Sequence, residues 1–239
     1  MRILITNDDG IESPALPHLA EWAMKLGNVT VIAPRYEQSG KSHAIDFGHR
    51  TEIVRYDLSA GCEAWSMDST PADCVRFAML GLNKKFDLVI SGINRGFNLG
   101  HDIAYSGTVG AACEATNFGI KALALSTDIT SFDRALDALD MVYGYVTDNG
   151  LLDHTEILNV NIPDEEPRGL LITRRGGAFY SDEFKKNPDG TYTHWGQPIL
   201  EGRNDLSLDI DAVVNGYISV TPLTADRTDL IAYEKIRSI

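Results

Sequence analysis

The chain has 239 residues, and its 21 Lys and Arg face 34 Asp and Glu for a formal net charge of −13. Such a surface repels the backbone of long nucleic acids, which bind chiefly through Lys and Arg, yet a small phosphorylated ligand remains admissible where a cation reverses the field locally. No apolar run approaches the roughly 20 residues that cross a bilayer, so no membrane association is expected.

The opening MRILITNDDG lacks the basic, apolar and small-residue regions of a secretory signal, and a cytoplasmic location is expected. Cys62, Cys74 and Cys113 show no C-x-x-C spacing. They read as reduced, packed thiols rather than a disulfide framework or a thiolate zinc site.

Arg2–Thr6 (RILIT) and Val29–Ala33 (VTVIA) read as strands buried on both faces, because near-continuous apolar runs suit a sheet covered by helices. Between them Pro14 to Leu26 reads as a helix, with Ser13 as N-cap, Pro14 at the first position and Gly27 as the stop. The unit is βαβ, with a right-handed crossover. Pro71 to Leu80, capped by Thr70, is a second helix, and Phe86–Ser91 (FDLVIS) a strand. Gly107 to Asn117 and Ser131 to Thr147 follow as helices, with Ala122–Ser126 and Ile157–Ile162 as strands. This alternation predicts an α/β fold with a doubly wound, mostly parallel, Rossmann-like sheet.

After Pro163 the character changes. Short strand-like runs are punctuated by Gly176-Gly177, Asp189-Gly190 and Pro198, and Phe179, Tyr180, Phe184, Tyr192 and Trp195 concentrate aromatic surface. We expect one domain, with an α/β core at 1–163 and a β-rich extension at 164–239. That extension carries a hairpin arm tipped near Asp189-Gly190 and suited to packing on a neighbouring subunit.

Three loops hold the chemistry. Asn7-Asp8-Asp9-Gly10 follows the first strand, where open parallel sheets bind ligands. A turn at Gly10 lets Asp8 and Asp9 share a hard divalent cation that relieves their repulsion, although Asp-Gly is also ordinary turn chemistry. Glu37-Gln38-Ser39-Gly40-Lys41-Ser42 follows the second strand on the same rim, so Ser39 can reach the same ion or simply belong to a solvated loop. Its Gly-Lys-Ser is no P-loop, because Arg35 stands where the first glycine would fall.

The longest loop runs from Ser91 to Gly110 with glycines at 92, 96, 100, 107 and 110. It opens a helix whose free N–H groups seat phosphate. Ser106 and Thr108 add hydroxyls there, and Asn94 and Asn98 can coordinate a metal or hold substrate oxygens. The G-x-G-x-x-G fingerprint of dinucleotide folds is absent. His43 and His101 are the histidines near these loops, each a candidate proton shuttle or a plain surface residue.

Taken together, ILITNDDG at 3–10, AP-x-x-x-QSG-x-S at 33–42 and SGINRG-x-NLG-x-D-x-x-YSGTVGAA at 91–112 resemble the survival protein E family. TPADCV at 70–75, NVNIP at 159–163 and GYISVTPL at 216–223 extend the likeness over nearly the whole chain, in the family's order. Ser69, where members usually have glycine, and the variable His101 depart from the pattern without touching the key positions.

The resemblance implies a divalent-metal-dependent phosphatase that hydrolyses nucleoside monophosphates at the 5′ and often the 3′ position. It implies one Mn2+ or Mg2+ per subunit, held by Asp8, Asp9, Ser39 and Asn94. It implies phosphate binding by Ser106, Gly107 and Thr108, with Asn98 nearby, and a homodimer or homotetramer joined through the C-terminal extension. Asp9 is the expected base for the attacking water. A phospho-aspartate at Asp8 is not expected, because the D-x-D spacing of aspartyl phosphatases is missing.

Overall fold

The computed structural model describes residues 1–239. From the N-terminus the chain forms β1 (Arg2–Thr6), α1 (Ala15–Met24), β2 (Asn28–Pro34), β3 (Ile53–Tyr56), β4 (Glu63–Met67) and α2 (Pro71–Arg76). A wide π turn at Phe77–Gly81 leads to β5 (Leu88–Arg95), and a 3-10 turn at Gly100–Ala104 to α3 (Gly107–Asn117). Then come β6 (Lys121–Thr127), α4 (Asp133–Asp137), α5 (Leu139–Asp148), α6 (Leu151–His154) and β7 (Ile157–Ile162). The last third holds β8 (Leu170–Ile172), β9 (Glu183–Lys186), β10 (Tyr192–Trp195), α7 (Asp209–Val214), β11 (Ile218–Leu223) and α8 (Leu230–Ile236).

One sheet takes nine strands in the order β3-β4-β2-β1-β5-β6-β7-β11-β8. The run from β4 to β7 is parallel throughout, whereas β3 and β11 pair antiparallel with β4 and β7. Alternation along β1 places Ile3 and Ile5 in one core with Leu16, Leu19, Leu139 and Val142 of α1 and α5. Leu4 faces a second core with Val75, Val109 and Ala112 of α2 and α3. The sheet is therefore covered on both sides, as the unbroken apolar strands require.

From β1 the chain winds outward through β2 and β4, then returns to β5 on the other flank of β1. The order reverses between β1 and β5, and the carboxyl ends of these strands border a crevice. Helix α3 starts there. Its N-cap Ser106 accepts a bond from the Val109 amide at 3.1 Å, and Thr70 caps α2 through the Asp73 amide at the same distance.

Several expected elements differ. Ser13 offers no side-chain cap, since α1 begins with a tight turn in which the Ser13 carbonyl accepts from the Leu16 amide at 3.1 Å. The helix expected over 131–147 is two, α4 and α5, meeting where ψ of Ala138 flattens to −7°. Residues after 163 include helices α7 and α8, and β8 and β11 enter the main sheet, so that sheet draws on both sides of Pro163. The arm expected near Asp189-Gly190 is the antiparallel hairpin β9–β10.

The strand expected to end at Ser91 instead crosses a bulge and resumes, Asn94 and Arg95 pairing with Ser126 and Thr127. Gly92 makes the bulge possible. Its φ is +138°, and a Cβ there would stand 2.3 Å from the Leu125 carbonyl oxygen in the adjoining strand. We expect Gly92→Ala to lower stability by at least about 2 kcal/mol in urea unfolding. A variant as stable as the parent would contradict this close approach.

Candidate active site

The turn after β1 is built by Asn7, fully buried, whose Oδ1 accepts the Gly10 amide at 3.1 Å while its Nδ2 donates to the Gly10 carbonyl at 2.9 Å. Gly10 closes it at φ +99°. Two backbone bonds of 2.7 Å, Gln38 N–H to the Asp8 carbonyl and Ile11 N–H to the Pro34 carbonyl, bind this turn to the segment after β2. The loops at 7–10 and 35–42 are thereby joined at one rim of the sheet.

The adjacent aspartates part company in this turn. Asp8 is buried against α3, accepting from the Thr108 hydroxyl at 2.5 Å and the Thr108 amide at 3.2 Å. A Cβ at Gly107 would lie 3.0 Å from both Cβ and Oδ2 of Asp8, so glycine is what lets the carboxylate settle on the first turn of α3. The positive end of the helix favours a negative group there. Burial pushes the Asp8 carboxyl up, and the bonds from Thr108 oppose it without cancelling it.

Asp9 turns the other way, its Oδ2 accepting the Arg95 amide at 3.2 Å. Its pKa is pushed up to about 6 by burial, then by the charge of Asp8 and, more weakly, Glu37, against the pull of Arg95. Asp9, Glu12, Glu37, Ser39 and Arg95 line one cavity of about 290 Å³. Ser39 donates to Glu37 at 2.6 Å. The Nδ2 of Asn94 donates to the Gly96 carbonyl at 2.7 Å, which leaves the Oδ1 of that amide as an acceptor.

Of the residues singled out in the sequence, Asp9 and Ser39 share this cavity, Asp8 adjoins it through the turn, and Asn94 adjoins it through Arg95. Thr108 is already committed to Asp8 through both N–H and hydroxyl, so it supports that carboxylate instead of facing an open helix start. Asn98 is buried: its Nδ2 donates to Ser126 at 2.8 Å, and its own amide donates to Asn161 Oδ1 at 2.8 Å. The Asn98 carbonyl accepts from the side chains of Asn159 and Asn161 at 2.8 and 3.1 Å.

Neither histidine stands at the carboxylates. His43 Nε2 lies 2.7 Å from Glu114, which also accepts from Arg76 at 2.8 Å, two turns of α3 or roughly 10 Å along from Gly107. His101 is exposed, and its amide donates to the Gly177 carbonyl at 2.9 Å.

Sequence reasoning passed over Glu12, Glu37 and Arg95, whose nearness to Asp9 arises only on folding. It also passed over Asp209, which accepts from the Gly100 amide at 2.9 Å and the Gly176 amide at 2.7 Å. A signal for Asn159 and Asn161 was present: they are two apart on a buried strand, hence on one face.

The donor atoms gathered near Asp9 are carboxylate, hydroxyl and amide oxygens, with no thiol or imidazole among them. That set suits a hard divalent cation. The excess of negative charge around Asp9 is what such a cation would offset.

A family model described as Survival protein SurE matches residues 3–182. A 5′-nucleotidase SurE of Geotalea uraniireducens is 40% identical over 240 residues, covering 96% of this chain and 95% of the relative. One of Acinetobacter baumannii is 37% identical over 257 residues, covering 100% of this chain and 99% of the relative. The crystal structure of the SurE protein from Aquifex aeolicus superposes with a TM-score of 0.83 at 35% identity, covering 100% of this chain and 99% of that one.

Thr108→Val removes the hydroxyl that Asp8 accepts from and leaves a buried carboxylate short of a partner. The expected cost is about 2 kcal/mol at neutral pH, largely restored in Thr108→Ser, measured by denaturant unfolding with a chelator present. Equal stability of the Val variant and the parent would mean that Thr108 does not hold Asp8.

Proposed function

The chain belongs to the survival protein SurE family and is a 5′-nucleotidase, a nucleoside monophosphate phosphatase dependent on a divalent metal ion; we propose that Asp8, Asp9, Ser39 and Asn94 hold that ion. One observation carries the assignment: adjoining carboxylates, with Glu37 beside them, load negative charge onto the crevice where the sheet changes direction. One Mn2+ or Mg2+ per subunit fits this all-oxygen donor set.

When bound, the ion supplies Lewis acidity toward a phosphate oxygen and lowers the pKa of a water it holds. Ser106 and Gly107, at the start of α3, meet the phosphate with backbone N–H groups and the helix's partial positive charge. Asp9 orients the attacking water in line with the ester bond and takes its proton. As the water oxygen bonds to phosphorus, the bond to the ribose oxygen breaks, and that oxygen takes a proton from solvent. Asp8 would hold the ion, its carboxylate fixed in direction by Thr108. Thr108 and Asn98 act on phosphate through the placement of Asp8 and of the asparagine loop.

We also propose that the extension joins subunits into a homodimer or homotetramer. Phe184 at 71% exposure and Tyr192 at 60% stand out on the hairpin, and Ile231 at 72% and Ile236 at 65% on α8, more apolar surface than a solvated arm requires.

Phosphate release from nucleoside monophosphates, run with manganese against a chelated blank, is expected from the parent. Asp9→Asn should lower kcat by at least about a hundredfold. Activity near the parent's would defeat the assignment of Asp9. In light scattering, Phe184→Ser combined with Ile231→Ser is expected to reduce the assembly mass, and an unchanged mass would remove the arm and α8 from the interface.

A further inference from the structure

A second cavity, of about 350 Å³, opens beside the first turn of α3. Ser106, the N-cap of α3, lines it, together with apolar walls from Ile103, Val109 and Leu223 and the guanidinium groups of Arg175 and Arg227. None of the chain's 34 acidic residues lines it, although the chain carries a net charge of −13. Neither arginine forms an ion pair, whereas the adjoining Arg174 pairs with Asp205 at 3.2 Å. Both guanidinium groups are exposed and without a hydrogen-bonded carboxylate, although the charge of Arg175 still acts on Asp209, so each can meet a ligand in the hollow.

The hollow is also pre-shaped. Asp209 accepts the Gly176 amide at 2.7 Å and the Gly100 amide at 2.9 Å, and the Gly177 carbonyl accepts the His101 amide at 2.9 Å. The segment bearing Arg175 is thus clamped to the loop that leads into α3. Gly100 permits the clamp, since a Cβ there would stand 2.1 Å from the Gly177 carbonyl oxygen.

We propose that this hollow is the nucleoside subsite and that Arg175 and Arg227 recognise a 6-oxopurine base. The proposal rests on the reading of Ser106–Gly107 as the phosphate seat, because the ester oxygen then leads past Ser106 into the hollow. Its volume lies within the range of small-molecule sites, roughly 300–1,000 Å³. Apolar walls cover the faces of a base. A guanidinium presents paired donors that match the O6 and N7 acceptors of guanine or hypoxanthine, whereas adenine sets an amino donor against them. Guanosine and inosine monophosphates are therefore the preferred substrates.

The test compares full-length parent, Arg175→Ala, Arg227→Ala and the double variant on guanosine monophosphate, adenosine monophosphate and p-nitrophenyl phosphate, with manganese. For the parent, kcat/KM should favour the guanine nucleotide over the adenine one by about tenfold, and the double variant should lose that preference. The ratio of guanine nucleotide to p-nitrophenyl phosphate turnover should fall by about tenfold in Arg175→Ala, chiefly through KM. Guanosine alone should inhibit p-nitrophenyl phosphate hydrolysis competitively, and less well in the variants. A ratio within about twofold of the parent's in the double variant, or a parent that prefers the adenine nucleotide, overturns the subsite while leaving the metal site standing. A parent that releases phosphate from none of the three overturns both.

Discussion

A carboxylate lodged on the first turn of a helix organises this molecule. Asp8 leaves β1, turns into the interior and takes both the hydroxyl and the amide of Thr108, a residue 100 positions away. That contact fixes the distance between the first strand and α3, and with it the separation of the acidic rim from the helix start. Such a group tolerates burial only with strong hydrogen bonds, and Thr108 supplies them. The missing side chain at Gly107 is as necessary as the bonds themselves, since any Cβ would press on the aspartate.

The sheet supplies the remaining order. Reversal of winding between β1 and β5 leaves the carboxyl ends of both strands bordering a crevice, and the bulge at Gly92 shifts the register that carries Asn94 to its rim. Buried asparagines then act as internal scaffolding: Asn159 and Asn161 on β7 seize the backbone of Asn98, and Ser126 on β6 seizes its side chain. Strands that are otherwise apolar thus carry polar groups where an irregular loop must be satisfied. Two hollows of opposite character result, one acidic around Asp9 and one basic around Arg175.

Much of this was legible beforehand. Apolar runs at 2–6 and 157–162 matched their strands residue for residue, Thr70 was a recognisable cap, and Asp189-Gly190 announced the hairpin tip. Local chemistry fixes such features, and local chemistry is what a linear reading sees. Ser13 fails as a cap because its backbone carbonyl, which accepts the Leu16 amide, makes the turn into the helix while its buried hydroxyl has no partner. The destinations of glycines were beyond reach: Gly100 against Gly177 and Gly107 against Asp8 are meetings of distant segments, visible only as a general allowance for close approach. Glu37 stood in the same block as Ser39, yet its repulsion of the Asp9 carboxylate depends on how the second loop folds over the first. The part played by Asp209 emerges only from the clamp by which it joins Gly176 to Gly100.

That clamp has a bearing on biosynthesis. Gly100 and Asp209 are separated by 109 residues, and the strand that completes the sheet beside β7 is β11, near the C-terminus. A nascent polypeptide emerging from the ribosome can form β1, α3 and the carboxylate contact first, whereas the loop beside them stays unfastened until Asp209 has followed it. Long-range closure of this kind is slow beside the folding of local contacts.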